Sequence, residues 1–208
     1  MDHKTTFERL LELEESVLLT IEREQEEVAV GVPHHAPLGV RRLPTSEHPA
    51  ADENTGVIGY EVSRLLTCNC VIACNYFMDP NKHGDSDYSK RISAWKPNVL
   101  VEIHGHGSNH ANYDVEISSG SRERNKISTR FAALLRQAMA KTDSLSEYQI
   151  SGSFDEIYYK ATNSWTINND RWIPFHIELP FSIRSDPALF SPLSQHISTA
   201  VKAILAEL

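Results

Sequence analysis

Apolar runs of strand length recur along the chain and alternate with stretches of helical spacing. Four runs have the composition of buried strands, and "NYDVEIS" is a further strand candidate: residues 28–32, "CVIACNYF", "NVLVEIH" and "WIPFHIELPF". Helical spacing of apolar residues occurs in "DSDYSKRISAW", "ERNKISTRFAALLRQAMAKT" and "ALFSPLSQHISTAVKAILAEL". Strands that alternate with helices predict an α/β fold. We expect a three-layer α/β/α arrangement around a central mixed, largely parallel sheet.

Two segments near the N-terminus are less regular. "FERLLELEESVLL" has helical spacing, but "SVLLTIE" fits either this helix or a strand that turns at "REQEE". The strand at residues 28–32 is expected to end at Pro33, and residues 33–52 hold four prolines. We interpret them as a long ordered loop of the kind that is often functional. A helix capped by Asn54 or Thr55 is predicted to run to about Leu66.

Length, composition and charge narrow the class of protein. A chain of 208 residues without repeats or an evident linker is expected to form a single domain over residues 1–208. The net charge of −8 argues against a general nucleic-acid binder. No apolar run approaches the roughly 20 residues that span a bilayer. The charged N-terminal stretch has no signal-peptide core, so we expect a cytoplasmic protein without membrane partners.

The three cysteines lie together in "CNCVIAC". An odd number of cysteines argues against a disulfide framework, and the spacing lacks the second pair that a metal site needs. Buried strand thiols are therefore the favoured interpretation of Cys68, Cys70 and Cys74.

Histidines and carboxylates follow the predicted strands. His34 and His35 come directly after one apolar run, His104 ends another, and Glu53 closes the long loop. Ligands of open α/β sheets bind beyond the carboxyl ends of the strands, so these side chains are candidates for a common site. Two imidazoles and one carboxylate with an open fourth position form a known catalytic zinc arrangement. Because adjacent residues of an extended chain point to opposite faces, only one of the two neighbouring histidines is expected to bind the metal.

Four segments together resemble the N-formylglutamate amidohydrolase family, and they occur in the family's order. They are "VPHHAPLG", "ADENTG", "DPNK" followed by "LVEIHGHG", and "HIELPFSIR". The resemblance implies a fold similar to that of zinc carboxypeptidases and aspartoacylase-like deacylases. It also implies a Zn²⁺ cofactor and hydrolysis of an amide bond.

The resemblance assigns roles to individual residues. It implies that the metal is bound by His35 or His34, with a narrow preference for His35, and by Glu53 and His104. It also implies that Glu178, in the Ile-Glu strand segment, is the general base.

Substrate contacts are carried over in the same way. Asn81 and Lys82 match an Asn-Arg pair that holds a substrate carboxylate in related enzymes, although lysine cannot form the bidentate contact of arginine. Arg184 or Arg91 is then a candidate for the missing guanidinium. Oxyanion donors and hydrogen-bond partners of the zinc histidines stay open between several residues. The donor candidates are Lys82, Arg91, Arg184, His106 and His110, and the partner candidates are Asp114 and Glu116.

The leading hypothesis is a zinc-dependent hydrolase of a small N-acyl amino acid or of a short acidic or γ-linked peptide. A carboxypeptidase-type peptidase and a non-catalytic metal-binding protein on the same fold are the alternatives. A third reading, a cysteine enzyme that uses Cys70 or Cys74, is disfavoured because a buried thiolate is desolvated.

Overall fold

The computed structural model describes residues 5–107 and 109–208. Within these residues eight strands form one sheet in the order β1-β4-β2-β5-β8-β6-β7, and β3 pairs with β2. The strands are β1 (Val17–Ile21), β2 (Gln25–Ala36), β3 (Asp52–Glu53), β4 (Cys68–Cys74), β5 (Val99–His106), β6 (Val115–Ser118), β7 (Ile150–Ser151) and β8 (Ile173–Pro180).

The centre of the sheet is parallel and its outer strands are mixed. Strands β4, β2, β5 and β8 run in the same direction, whereas β1 is antiparallel to β4 and β6 is antiparallel to β8. The predicted mixed, largely parallel sheet is confirmed.

Helices cover both faces of this sheet, as predicted. They are α1 (Thr6–Leu10), α2 (Thr55–Leu66), α3 (Asp87–Trp95), α4 (Asn125–Met139), α5 (Phe181–Arg184) and α6 (Pro187–Leu205). On one face Val30 and Phe175 of the sheet share a core with Ile58, Phe131 and Ile197 from α2, α4 and α6. On the other face a smaller core joins the sheet to α3. The successive residues Ala29 and Val30 enter opposite cores, as strand alternation requires.

The stretch "SVLLTIE" contains the strand β1, so of the two predicted alternatives, helix or strand, the strand is observed. A capping box between Thr5 and Glu8 begins α1, which ends at Leu10. Residues Val17–Ile21 then pair with Cys70–Cys74 of β4.

Strand β2 continues past Pro33, which corrects the predicted strand end. Pairing with β5 stops at Gly31, and the register with β4 shifts between Val32 and His35. Proline lacks a backbone donor and is tolerated where a ladder is interrupted. The irregularity carries the two histidines beyond the regular sheet while keeping the chain extended.

None of the helices in the described part of the chain combines the length and the hydropathy that a bilayer crossing requires.

We expect Phe131→Ala to lower the free energy of unfolding by about 3–5 kcal/mol, because it opens a cavity in the larger core. The Phe131 ring is fully buried and its centroid lies 4.4 Å from that of Phe175. Leu38→Ala is the control, because Leu38 is 54% exposed and should change stability by less than about 0.5 kcal/mol. Urea denaturation followed by circular dichroism measures both, and equal effects would contradict the packing described.

Candidate metal centre

Three side chains converge at the carboxyl edge of the parallel strands. His34 lies near the end of β2, Asp52 lies in β3, and His104 lies near the end of β5. One potential ligand atom from each lies within 4.8 Å of the other two, and all three residues are buried. Parallel strands place their carboxyl ends along one edge, which brings together residues 70 positions apart in sequence.

The spacing of the three ligand atoms matches a small tetrahedral ion. Asp52 Oδ2 lies 3.3 Å from His34 Nδ1 and 3.7 Å from His104 Nδ1. A tetrahedral zinc centre with bonds of about 2.1 Å places neighbouring ligand atoms about 3.4 Å apart. The donor set, two imidazoles and one carboxylate, is also one that zinc accepts.

The far nitrogens of both histidines are held by carboxylates. His34 Nε2 donates to Asp79 Oδ1 at 2.9 Å, and His104 Nε2 donates to Glu102 Oε2 at 3.4 Å. Metal-binding histidines usually donate their second N–H in this way, which fixes the tautomer and the ring orientation.

These hydrogen bonds leave acceptors facing acceptors. With the proton on Nε2, a neutral His34 or His104 directs the lone pair of Nδ1 toward Asp52 Oδ2. In the described residues neither His34 Nδ1 nor Asp52 Oδ2 has a hydrogen-bond partner, although both atoms are buried. Buried groups of this kind require a proton or a cation between them. The residues therefore fit a bound divalent cation.

The pKa values of His34 and Asp52 also favour a positive charge between these residues. Burial would lower the pKa of His34, but the neighbouring carboxylates of Asp52 and Asp79 raise it to about 9. Burial raises the pKa of Asp52, but its contact with His34 lowers it to about 2. Burial, together with the charge of His34, lowers the pKa of His104 to about 3, so this ring stays neutral.

A further carboxyl group lies beside the three candidate ligands. Glu178 pairs in register with His104, and one atom each of His104, His176 and Glu178 lies within 4.8 Å of the other two. Glu178 Oε1 lies 3.4 Å from His176 Nε2, while Oε2 is buried without a hydrogen-bond partner among the described residues. Burial and the negative charge of Asp52 raise the pKa of Glu178 well above its usual value.

These groups open into a cavity of about 240 Å³. His34, His104, His176 and Glu178 form its floor. The segment 158–164 and residues around Lys82 form its walls. His48 also lines the cavity, and its ring stacks on that of His34 with the centroids 3.8 Å apart.

Two of the predicted ligands, His35 and Glu53, lie outside the cluster. His35 points away from the cavity: its Nε2 donates to the Leu11 carbonyl, and its Nδ1 accepts from Gly56 N–H. Both ring nitrogens are thus occupied. Glu53 accepts from Gly39 N–H through Oε2 and lies outside the cluster. In both pairs the adjacent residue, His34 or Asp52, faces the site, because neighbours in an extended chain point to opposite sides.

The predicted substrate contacts divide into two groups. Lys82 lines the cavity, with its ammonium 2.6 Å from Asp79 Oδ2, and its role toward substrate stays a prediction. Asn81 also lines the cavity, but its side-chain amide donates to Glu102 Oε2 at 3.3 Å. Its backbone carbonyl accepts from Trp165 N–H.

Three other candidates are directed elsewhere. Arg184 is 3% exposed and donates to three backbone carbonyls, so it is not free to bind a substrate carboxylate. His106 donates to the Asp114 carbonyl at 2.9 Å. Arg91 pairs with Glu22 on the surface.

Glu116 has a different role from the predicted one. It does not hydrogen-bond the candidate metal histidines, which use Asp79 and Glu102 instead. Its Oε2 accepts from the N–H groups of Tyr158 and Tyr159, and its Oε1 accepts from two more in the segment 112–113. One buried carboxylate thus anchors the segment that forms a cavity wall. Asp114 likewise bonds backbone, accepting from Gln149 N–H.

Sequence reasoning missed Glu102 and His176, although a signal was present. Each lies two residues before a recognised site residue on the same strand, at the spacing that shares a sheet face. The stretches "EIH" and "HIE" contain this spacing directly. Asp79, the first residue of "DPNK", is the hydrogen-bond partner of His34, and the sequence pattern does not indicate this role.

The cysteines lie in β4 and are buried free thiols, as expected. Burial raises the pKa of Cys68, Cys70 and Cys74 to about 12, so none is a thiolate near neutral pH.

Comparisons with known proteins identify the fold. No family model and no curated protein sequence matches the chain. Among solved structures, it is similar to a bacteriophage poly-γ-glutamate hydrolase, with a TM-score of 0.62 and 12% identity over 93% of this chain and 91% of that one. It is similar to an N-acetylmuramoyl-L-alanine amidase of Nostoc punctiforme, with a TM-score of 0.55 and 9% identity over 88% and 98%.

A candidate carboxypeptidase A from Shewanella denitrificans matches with a TM-score of 0.51 and 13% identity, over 91% of this chain and 61% of that one. The chain therefore has the fold shared by these amidase and carboxypeptidase structures.

We expect Asp52→Asn to raise the dissociation constant for zinc more than about 100-fold, because the amide removes the negative charge between the two imidazoles. The matched control is Glu53→Gln, one residue away, which should leave zinc binding nearly unchanged. A second pair is His34→Gln, expected to lose zinc, and His35→Gln, expected to retain it at some cost in stability. Competition with a chromogenic chelator measures all four. Loss of zinc in Glu53→Gln with retention in Asp52→Asn would reverse the assignment.

Proposed function

We propose that this protein is a zinc-dependent hydrolase of an amide bond and that residues 1–208 form one hydrolase domain. The observation that carries the proposal is the convergence of His34 Nδ1, Asp52 Oδ2 and His104 Nδ1 next to the carboxyl group of Glu178. The fold likeness to a poly-γ-glutamate hydrolase, a muramoyl-alanine amidase and a candidate carboxypeptidase supports the same reaction class by analogy.

His34, Asp52 and His104 would hold the zinc, and Asp79 and Glu102 would fix the two imidazoles. When bound, zinc lowers the pKa of a coordinated water and polarises a carbonyl group.

Glu178 is the proposed general base. It lies next to His104 across the β5–β8 ladder, and its Oε2 atom has no hydrogen-bond partner in the described part of the chain. Burial disfavours the ionised form of this group, and the positive charge of bound zinc would favour it. The carboxylate would then accept a proton from the attacking water and return it to the leaving amine. The neutral ring of His176, 3.4 Å away, holds the other oxygen.

The cavity walls supply donors for the developing oxyanion and for substrate binding. Lys82, Tyr159, Lys160 and Asn163 line the cavity opposite the floor. Burial and the negative charge of Glu178 raise the pKa of Tyr159 to about 12, so its phenol remains a hydrogen-bond donor at neutral pH. Acyl-transfer chemistry requires hydrogen-bond donors near the carbonyl oxygen that becomes negatively charged, and these residues are the candidates.

The proposed substrates are small N-acyl amino acids or short acidic or γ-linked peptides. Two lysines in the walls, Lys82 and Lys160, favour a carboxylate-bearing substrate although the whole chain is acidic. The N-formylglutamate amidohydrolase-like activity and a γ-glutamyl peptidase activity are the first two to assay. A carboxypeptidase-type activity is the alternative within the same chemistry.

Removal of zinc should abolish hydrolysis, and alkylation should not. We expect a chelator to reduce turnover of the active substrate to background and zinc to restore it, while iodoacetamide at pH 8 leaves it unchanged because the three thiols are buried and protonated. The assay is a screen of N-acyl amino acids and γ-glutamyl peptides. Activity that survives chelation but is lost on alkylation would favour the cysteine reading instead.

Glu178→Gln should reduce the turnover number about 10²- to 10⁴-fold, because the amide cannot accept the proton of water. Zinc content should stay close to that of the unmodified protein, since Glu178 is not among the proposed ligands. Glu61→Gln is the control, because this carboxylate pairs with Arg64 on the surface and should leave turnover unchanged. Full activity in Glu178→Gln would exclude the proposed mechanism. Stoichiometric zinc in a protein that hydrolyses nothing in the screen would favour the non-catalytic metal-binding alternative.

A further inference from the structure

We propose that Arg184 is a positioning residue that sets the spacing of the metal ligands. The inference rests on the proposed zinc site and adds a residue that lies outside the cavity. Arg184 ends α5, directly after β8, and its side chain is buried at the edge where the three site strands end.

The guanidinium of Arg184 joins three strand ends. Its Nη1 donates to the Glu53 carbonyl at 2.8 Å, its Nη2 to the His106 carbonyl at 3.1 Å, and its Nε to the Leu179 carbonyl at 3.1 Å. These carbonyls belong to β3, β5 and β8. Each lies one or two residues after a site residue, so the three bonds hold Asp52, His104 and Glu178 in one arrangement.

The contact with β3 is reciprocal. Asn54 Nδ2 donates to the Arg184 carbonyl at 2.8 Å, while the Arg184 side chain donates to the preceding residue, Glu53. Asn54 has φ of 63°, a left-handed conformation that asparagine tolerates, and its side chain makes no helix cap. The two-residue strand β3 has little pairing of its own, so this double contact supports the position of Asp52 together with the hydrogen bond from Thr55 Oγ1 to the Asp52 carbonyl.

Room for the guanidinium is provided by a glycine between two histidines. A Cβ atom at Gly105 would lie 2.3 Å from Arg184 Nε and 2.4 Å from Cζ, distances that no side chain allows. The "HGH" stretch thus admits the planar group against the backbone of β5. Lysine, with a single nitrogen, cannot reach three carbonyls that diverge around it.

The experiment compares Arg184→Lys with a matched arginine at the opposite edge of the sheet. Arg23 is partly buried and donates to the Cys68 carbonyl at 2.8 Å and to Ser63 Oγ at 3.0 Å, at the start of β4. The dissociation constant for zinc is measured by chelator competition, and the melting temperature is measured on the metal-free proteins.

We expect Arg184→Lys to raise the zinc dissociation constant about 10- to 100-fold, the size of effect seen when groups that orient metal ligands are removed. Arg23→Lys should lower the melting temperature but change zinc affinity by no more than about twofold, since distant sites act independently. Asn54→Gly, which keeps the left-handed backbone and removes one hydrogen bond, should weaken zinc binding about 3- to 10-fold. This variant decides the question if Arg184→Lys does not fold.

Unchanged zinc affinity in a folded Arg184→Lys, or in Asn54→Gly when the first variant does not fold, would overturn the positioning role alone. An equal loss of zinc affinity in Arg23→Lys would show that the effect of Arg184→Lys comes from a general loss of stability, which would also overturn the positioning role. Failure of the unmodified protein to bind zinc would instead refute the proposed metal site, and this inference with it.

Discussion

The arrangement of this site depends on one buried carboxylate oxygen that faces two imidazole nitrogens. Asp52 Oδ2 has His34 Nδ1 on one side and His104 Nδ1 on the other, and the opposite nitrogens already donate to Asp79 and Glu102. Three acceptors that converge in a buried volume repel one another unless positive charge lies between them. Without a metal, protonation of His34 supplies the positive charge. The pKa of His34 is raised to about 9, so a proton occupies part of the space that a cation would fill.

Supporting such a cluster requires rigid elements, and the parallel sheet provides them. Strands β2, β5 and β8 place His34, His104 and Glu178 at the edge of the sheet, and β5 and β8 pair in register along their whole length. Asp52 is the exception, because β3 has only two residues. The Arg184 guanidinium and the Asn54 amide compensate for this weak element. The least regular part of the site is thus held by side-chain to backbone hydrogen bonds.

The sequence was sufficient for the fold class. Strand ends and the family resemblance also led to the expectation of imidazoles and a carboxylate at the carboxyl edge of the sheet, and His104 and Glu178 do lie side by side there. The narrow preference for His35 over His34, and the selection of Glu53, each fall on the neighbour of the residue that faces the cluster. In an extended chain a one-residue shift turns a side chain to the opposite face, and the interruption at Pro33 cannot be located from composition. The contacts of Arg184 and Glu116 with backbone groups could not be predicted. A charged residue that bonds backbone carbonyls or N–H groups needs no particular partner side chain, so the sequence contains no signal for it.

The anchoring of one cavity wall by Glu116 has a consequence for how such a protein diversifies. In this wall the carboxylate accepts from the main-chain N–H groups of Tyr158 and Tyr159, which every amino acid except proline possesses. The identity of the side chains that face the cavity from this segment is therefore decoupled from the shape of the segment. The side chains that line this wall can therefore be exchanged without moving its backbone, while the cluster on the sheet stays unchanged.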